Sequence, residues 1–285
     1  MPRPSRTFAL WGASHPGPSL VVTALAVALG IAAGLPPWRV VALGVAVLAG
    51  QLSVGISNDA IDAARDRAVG RTDKPIARGD VSVRTAWIAA VALVVGALAL
   101  SLALSPVMAL AHAAALASAW AYNAGLKNTP LSIAPFLVSF GLFPSLATLS
   151  APEPAVAAPW ASVAGAALGA AVHLTNVLPD LDDDARTGVR GLPHRLGVRT
   201  SVVLAVVGIL VGALAVLVGP VQIGPVLVDG AGITVLSWLF FVVAVLVAAA
   251  TIFLAVGRPP ARVLFRLTML AALVLAAQLV ATSGR

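Results

Sequence analysis

Apolar positions in this chain run rather than alternate. Stretches of about twenty hydrophobic residues recur along the whole sequence, and that is the length an α-helix needs to cross ~30 Å of hydrocarbon. The pattern predicts nine spans, at 18–36, 40–57, 85–104, 106–122, 131–149, 159–178, 200–219, 232–256 and 261–282. Polar, turn-forming breaks separate them, such as Ser150-Ala-Pro-Glu-Pro154 between the fifth and sixth and Ser105-Pro106 between the third and fourth. A β-barrel would show alternation over about ten residues instead. The expected fold class is all-α: a polytopic membrane protein with nine transmembrane helices in a bundle. The first run is long enough to span and lacks a cleavage signal, so it is read as part of the mature fold.

The distribution of charge orients the bundle. With the N-terminus placed in the cytoplasm, every Lys and Arg except Arg39 and Arg285, of 18 in all, falls on the inner side. An unbiased chain would divide them about evenly, so the positive-inside rule supports both the span count and the orientation. The net charge of +7 therefore reports topology and contact with anionic headgroups, and gives no sign of nucleic acid. The absence of cysteine excludes disulfides, thiolate metal sites and Cys nucleophiles.

Of eleven acids, only Glu153 and Asp229 fall outside the inner side. Acids contribute little to topology, so their clustering has another cause. After the second span the chain reads NDAIDAARDRAVGRTDKPIARG, and after the sixth NVLPDLDDDARTGVRGLPHRLG. With Asn58 set on Asn176, Asp62 meets Asp180, Asp66 meets Asp184, Gly70 meets Gly188, Pro75 meets Pro193 and Gly79 meets Gly197. Both segments, 58–79 and 176–197, obey N-x3-D-x3-D-x3-G-x4-P-x3-G, a pseudo-repeat within one domain spanning 1–285. Because its two copies follow spans of like direction, the repeat is parallel.

Residues four apart share a helix face. Asn58, Asp62 and Asp66 form one stripe and Asn176, Asp180 and Asp184 another, flanked by Asp59 and Asp183. Like charges at this spacing cost a few tenths of a kcal/mol, and a charge at the bilayer centre about 2.5–3.5 kcal/mol. Two facing stripes of carboxylate and amide oxygen would be compensated by a hard divalent cation such as Mg²⁺. One copy alone fits equally a solvated helix end with ion pairs to Arg65, Arg67 and Arg71. Two copies at matched spacing favour a metal–phosphate site.

Such a site also calls for direct cations. Arg71, Lys74 and Arg78 follow the first stripe, and Arg190 and Arg195 the second. Taken singly, each is as easily a topological anchor. Lys127 stands out as the only charge in AYNAGLKNTP, close to Tyr122 and Asn123. Lys127 and Arg71 are the strongest candidates to clamp a diphosphate.

These residues resemble the UbiA superfamily of intramembrane prenyltransferases. The resemblance rests on Asn58-Asp59-Ala-Ile-Asp62-Ala-Ala-Arg-Asp66 as the N-D-x-x-D-x-x-x-D motif and on Asp180-Leu-Asp182-Asp183-Asp184 as the second Asp-rich motif. Arg71-Thr72-Asp73-Lys74-Pro75 is similar to the family's R-T-x-x-R-P segment, one residue shorter and with Lys74 where Arg is commoner. The resemblance covers nearly the whole chain. It implies a central cavity opening to the cytoplasmic side of the membrane, expected to be the plasma membrane. It implies Mg²⁺ held by Asp62, Asp66, Asp180 and Asp184 with Asn58 and Asn176, binding a prenyl diphosphate. Arg71, Lys74, Lys127 and Arg190 would contact that diphosphate, with Asn58 and Asn176 also beside it. The prenyl group would pass to a hydrophobic acceptor, aromatic or quinone-precursor-like, with Asp59, Tyr122 and Lys127 as catalytic candidates. The oligomeric state is not read from the sequence.

Phe136, Phe140 and Phe143 lie on one face of the fifth span, where they could line the tail, stabilise a carbocation or simply pack. His173, seven residues before Asp180, reads as a packing histidine or a base, and His112 is ambiguous. His15, opening His15-Pro16-Gly17-Pro18, suggests an entry loop. A terpene cyclase of the same superfamily would use the same motifs. A cation transporter would place its acids within the spans, whereas these cluster at the inner ends.

Overall fold

The structure, a computed structural model, describes residues 5–186, 188–222, 233–256 and 262–282, with Asp182 and Asp183 described by backbone only. Arg3, Asp229, Arg258 and Arg285, used above for topology, lie outside the described residues. Twelve α-helices run through the described residues: α1 (Arg6–Ala13), α2 (Pro16–Ala32), α3 (Pro37–Ala68), α4 (Pro75–Arg78), α5 (Val83–Leu104), α6 (Pro106–Ala124), α7 (Ala134–Thr148), α8 (Pro159–Val177), α9 (Leu181–Arg186), α10 (Leu192–Val218), α11 (Val235–Ala255) and α12 (Arg262–Thr282). Their starts follow familiar chemistry. Proline opens α2, α3, α4, α6 and α8, where its missing N–H has no intrahelical partner to lose. Ser82 and Ser105 cap α5 and α6 by accepting from Thr85 and Met108.

Among the described residues, seven helices are long and apolar enough to cross a membrane, or eight if α1 and α2, bent by 69° at their junction, form one span. The other long helix is α6, of 19 residues. Successive long helices pack on one another from α2 through α12, and α12 returns to α2, so the bundle closes into a ring. Small residues let the backbones approach: Ala86 and Ala90 of α5 are fully buried, and Ser53 Oγ on α3 donates to Ala90 O at 2.8 Å.

At one end of the ring Arg39, at the start of α3, donates to Ser150 O at 2.7 Å and to Leu104 O at 3.3 Å. It ties the start of α3 to the ends of α5 and α7, the alternation expected of consecutive crossings. The acidic motifs lie at the opposite end.

One expectation is met by the backbone and one is corrected. The span expected at 40–57 and the helical stripe of Asn58, Asp62 and Asp66 beyond it belong to one helix, α3, which runs unbroken for 32 residues, through the first motif to Ala68. Nothing in NDAIDAARDRA breaks a helix, and Arg65 and Arg67 in its last turn favour the negative end of the dipole. At 1.5 Å per residue α3 is about 48 Å long, so its last turns project past the hydrocarbon and carry the acids there. The second stripe was expected to be one helix face, yet α8 ends at Val177 and a 3₁₀ turn, Leu178–Asp180, precedes α9. Pro179 lies in that turn and has no N–H to continue an α-helical ladder. Asn176 is accordingly exposed while His173, three residues earlier, is buried.

The pseudo-repeat is present in the backbone as well as in the letters. Gly70 and Gly188 have φ of 71° and 83°, and Gly79 and Gly197 have φ of 81° and 74°. Each pair takes the left-handed conformation that only glycine adopts without cost. Each copy is thus a helix end, a left-handed glycine, a short proline-led helix, a second left-handed glycine and a new long helix. In the second copy the short helix and the long one form α10, kinked at Gly197.

Candidate active site

The carboxylates of the first motif are buried: Asp59, Asp62 and Asp66 are 2%, 6% and 3% exposed. Burial of three carboxylates within eight residues requires compensation, and the chain supplies it from afar. Lys74, on the return from α3 to α4, puts Nζ 2.6 Å from Asp59 Oδ1 and 3.6 Å from Asp66 Oδ2. Burial would lower the Lys74 ammonium, but Asp59, Asp66 and Asp62 outweigh it and hold its pKa above the usual value. His15 Nε2 lies 2.9 Å from the same Asp59 oxygen. His15 sits at the α1–α2 corner with φ 52°, the one left-handed residue other than glycine among those described, and Ser19 Oγ donates to Ser14 O at that corner.

Asp62 has different partners. Lys127 Nζ donates to both of its oxygens at 2.7 Å and to Asn58 Oδ1 at 3.3 Å. Arg65, one turn further along α3, reaches Asp62 Oδ2 at 3.0 Å. Lys127 is buried in the short 3₁₀ turn Leu126–Asn128 that follows α6. Burial lowers its pKa, against the pull of Asp62. Its backbone is fixed by the second repeat: a Cβ on Gly191 would fall 2.6 Å from Lys127 O, and Leu192 N donates to Ser132 Oγ at 2.8 Å.

The second motif lies within electrostatic reach of the first. Asp184 is pushed up to about 6, chiefly by burial and then by Asp180 and Asp62, against Arg65 and Lys127. His194 Nε2 is 3.7 Å from Asp184 Oδ2. Arg71 pairs with Asp73 through two hydrogen bonds of 2.9 Å. That pairing holds Asp73 well below the usual carboxylate range, and Asp180 and Asp66 add to the upward pull on the guanidinium. Arg71 is thus within electrostatic reach of Asp66 and Asp180, whereas Arg190 is exposed on its loop.

Aromatic rings lead away from the carboxylates. Tyr122 meets Phe136 edge-on at 5.1 Å and His173 at 5.7 Å. Phe136 and Phe140 lie parallel at 6.3 Å, and Phe140 contacts Phe143 at 6.1 Å. Phe140 and Phe143 then line an apolar cleft with Leu25, Leu168, Val172 and Met269, about 650 Å³ with its mouth included. His173 is 1% exposed, and its Nε2 pairs with Ser132 Oγ at 3.0 Å. His112 is a packing residue, 2.8 Å from Ser101 Oγ.

The residues fit a hard divalent cation. The available donors are carboxylate and amide oxygens, the set Mg²⁺ prefers, and Asp66 Oδ2 is buried without a hydrogen-bond partner. Among the described residues no three acids or imidazoles converge on one point; Asp59 and Asp62 close on Lys74 and Lys127. Of the residues at the site, Arg65 makes the ion pair with Asp62 that its place beside the first stripe suggested, while His194 was not among the sequence candidates. The i,i+3 spacing of Asp62 and Arg65 signalled the first, and the second has no local signal.

Fold and site together define a polytopic helical membrane protein with two repeated acidic motifs at one end, cations between them and an aromatic-lined apolar cleft behind. The model of the UbiA prenyltransferase family matches residues 19–270, and the chain belongs to that family; it is an intramembrane prenyltransferase. It is 31% identical over 196 residues to a 4-hydroxybenzoate octaprenyltransferase of Enterobacter sp. (strain 638), covering 67% of this chain and 68% of that one. The fold is similar to that of a UbiA homolog from Archaeoglobus fulgidus bound to GPP and Mg²⁺, with TM-score 0.74, 15% identity and 97% and 100% of the two chains covered. It is also similar to the apo UbiA homolog from Aeropyrum pernix K1, with TM-score 0.72, 20% identity and 92% and 97% covered.

Proposed function

We propose that this protein transfers an isoprenyl group from a prenyl diphosphate to an aromatic or quinone-precursor-like acceptor, with Mg²⁺, at the cytoplasmic face of the plasma membrane. In this reading the whole chain, 1–285, is one domain with nine crossings. The observation that carries it is the meeting of the two repeats around Lys127, whose ammonium reaches Asp62 and Asn58 of the first while its backbone packs on Gly191 of the second. Two acidic motifs, several cations and an apolar cleft match the three parts of a prenyl diphosphate and its counter-ions. The octaprenyltransferase relative and the homolog bound to GPP and Mg²⁺ support the same chemistry.

Asp62, Asp66, Asp180 and Asp184, with Asn58 and Asn176, would hold the metal, which neutralises charge on the departing diphosphate. Lys127 and Arg71 orient the diphosphate, with Lys74 and Arg190 at its margin. The allylic C–O bond breaks, its electron pair leaving with the diphosphate oxygen. The cation so formed is shielded from water by the Tyr122–Phe136 pair. An electron-rich carbon of the acceptor forms the new C–C bond and then loses its proton. Asp59, held by His15 and Lys74 rather than placed among the metal donors, assists the acceptor. The tail extends along Phe140 and Phe143 into the cleft, which matches an isoprenoid in polarity.

Membranes containing the protein, given Mg²⁺, geranyl diphosphate and 4-hydroxybenzoate, test this. A prenylated acceptor with release of pyrophosphate is expected. A cyclic hydrocarbon or alcohol formed without acceptor would replace the transferase reading with a cyclase.

A further inference from the structure

Lys127 stands where a cation is needed. Three oxygens of the first repeat surround its ammonium, two from Asp62 at 2.7 Å and one from Asn58 at 3.3 Å. These oxygens belong to the donors assigned to the metal, and an ammonium on both oxygens of Asp62 blocks a divalent ion that needs contacts of about 2.1 Å. The two repeats differ here: position 74, the lysine that covers Asp59 and Asp66, becomes Leu192 in the second copy, and Lys127 belongs to neither copy. Two acids of the first repeat, Asp59 and Asp62, are thus closed on lysines. Gly191 packs against the carbonyl of Lys127, and Leu192 N donates to Ser132 Oγ in the turn that follows, so the backbone beside Lys127 is packed on the second repeat.

We infer that Lys127 is a built-in stand-in for the metal: it holds Asp62 and Asn58 and must give them up before a divalent ion binds there. A buried ammonium needs another acceptor to move to, and the diphosphate provides one. Metal and diphosphate therefore load together, each raising the affinity of the other by the same factor. Early metal entry, and with it a charged site exposed to water, is suppressed until substrate has arrived. This inference rests on the metal–diphosphate reading of the site.

Mn²⁺ binding to the purified full-length protein, followed by the loss of the free-ion paramagnetic resonance signal, tests it without turnover. The wild type is expected to bind Mn²⁺ weakly alone and at least tenfold more tightly with geranyl thiodiphosphate, after correction for chelation by the free ligand. Lys127→Met is expected to bind Mn²⁺ alone at least tenfold more tightly than the wild type, and Lys127→Arg to stay weak. Should Lys127→Met fail to fold, the wild-type comparison and Lys127→Arg still decide. Equal Mn²⁺ affinity of the wild type with and without the thiodiphosphate, or of Lys127→Met and the wild type, overturns the inference and leaves the site reading intact. No Mn²⁺ binding by the wild type even with the thiodiphosphate overturns both.

Discussion

The contact between Asp62 and Lys127 makes a quantitative prediction about stability. Both side chains are less than a tenth exposed, at 8% and 9%, and the ammonium lies 2.7 Å from each carboxylate oxygen. At an effective dielectric near 20 the gross attraction of such a pair is roughly 6 kcal/mol. Most of it offsets desolvation, so what matters is the charge left behind when one partner is removed, about 3–5 kcal/mol for a buried pair. Asp62→Asn keeps the shape and leaves the Lys127 ammonium buried against two amides, a loss of about 3 kcal/mol. Arg65, with its side chain 28% exposed, turns to water at a cost of at most about 1 kcal/mol. Lys127→Met leaves Asp62 with Arg65 and should lose less, about 2 kcal/mol. The double variant removes both charges and should lie within about 1 kcal/mol of the wild type, a strongly non-additive cycle. Reversible unfolding in mixed detergent micelles, read by circular dichroism, measures all four proteins. A double variant that loses the sum of the single losses would show that the two charges do not depend on each other and would remove the basis for the pairing.

Asp184 predicts a pH dependence. With its carboxyl raised from 3.8 to about 6, the fold favours the protonated form. Its contribution to stability is therefore present below pH 3.8 and fades as pH rises through about 6. Metal binding needs the opposite form, so Mn²⁺ affinity should rise up to about tenfold per pH unit below about 6 and level off above; a flat profile in titrations from pH 5 to 7.5 would refute this. Arg39→Ala removes two charged hydrogen bonds at the end remote from the site. It should cost about 2 kcal/mol of stability with KM for the prenyl diphosphate unchanged, whereas an altered KM would mean that the two ends are coupled. Gly191→Ala, whose Cβ would fall 2.6 Å from Lys127 O, should lower turnover more than tenfold and cost about 1–3 kcal/mol of stability; wild-type activity would show that the Lys127 turn tolerates displacement.

The helices were legible because each is a long apolar run punctuated by proline and serine. Predicted and observed bounds agree within a few residues for most, as at 85–104 against Val83–Leu104 and 159–178 against Pro159–Val177. Hydropathy reports where a helix leaves lipid, not where it ends, and the i,i+4 spacing of Asn58, Asp62 and Asp66 carries the second span's helix onward, as α3 does to Ala68. The spacing of the two motifs was legible because it is carried by single letters, and its glycines take positive φ, but the second copy departs from the first where the 3₁₀ turn Leu178–Asp180 breaks its stripe. Pro179 was visible in the sequence too, but the i,i+4 periodicity was allowed to override it. Which lysine meets which acid was not legible: Lys127 and Asp62 are 65 positions apart and His15 and Asp59 are 44 apart, and only the closed ring brings them together. Lys127 had been singled out as an isolated charge in a neutral segment, which marks it as unusual without naming its partner.

The central claim is that two repeated acidic motifs hold metal and diphosphate so that a prenyl group passes to an acceptor. Mass spectrometry of products tests it most directly, using membranes carrying the wild type, Asp62→Ala or Asp180→Ala, with Mg²⁺, a series of prenyl diphosphates and aromatic acceptors including 4-hydroxybenzoate. The account predicts an acceptor heavier by one prenyl group less a proton with the wild type, and no such product with either variant although both insert. Near-normal product from either variant, or cyclised prenyl product from the wild type without any acceptor, would contradict it.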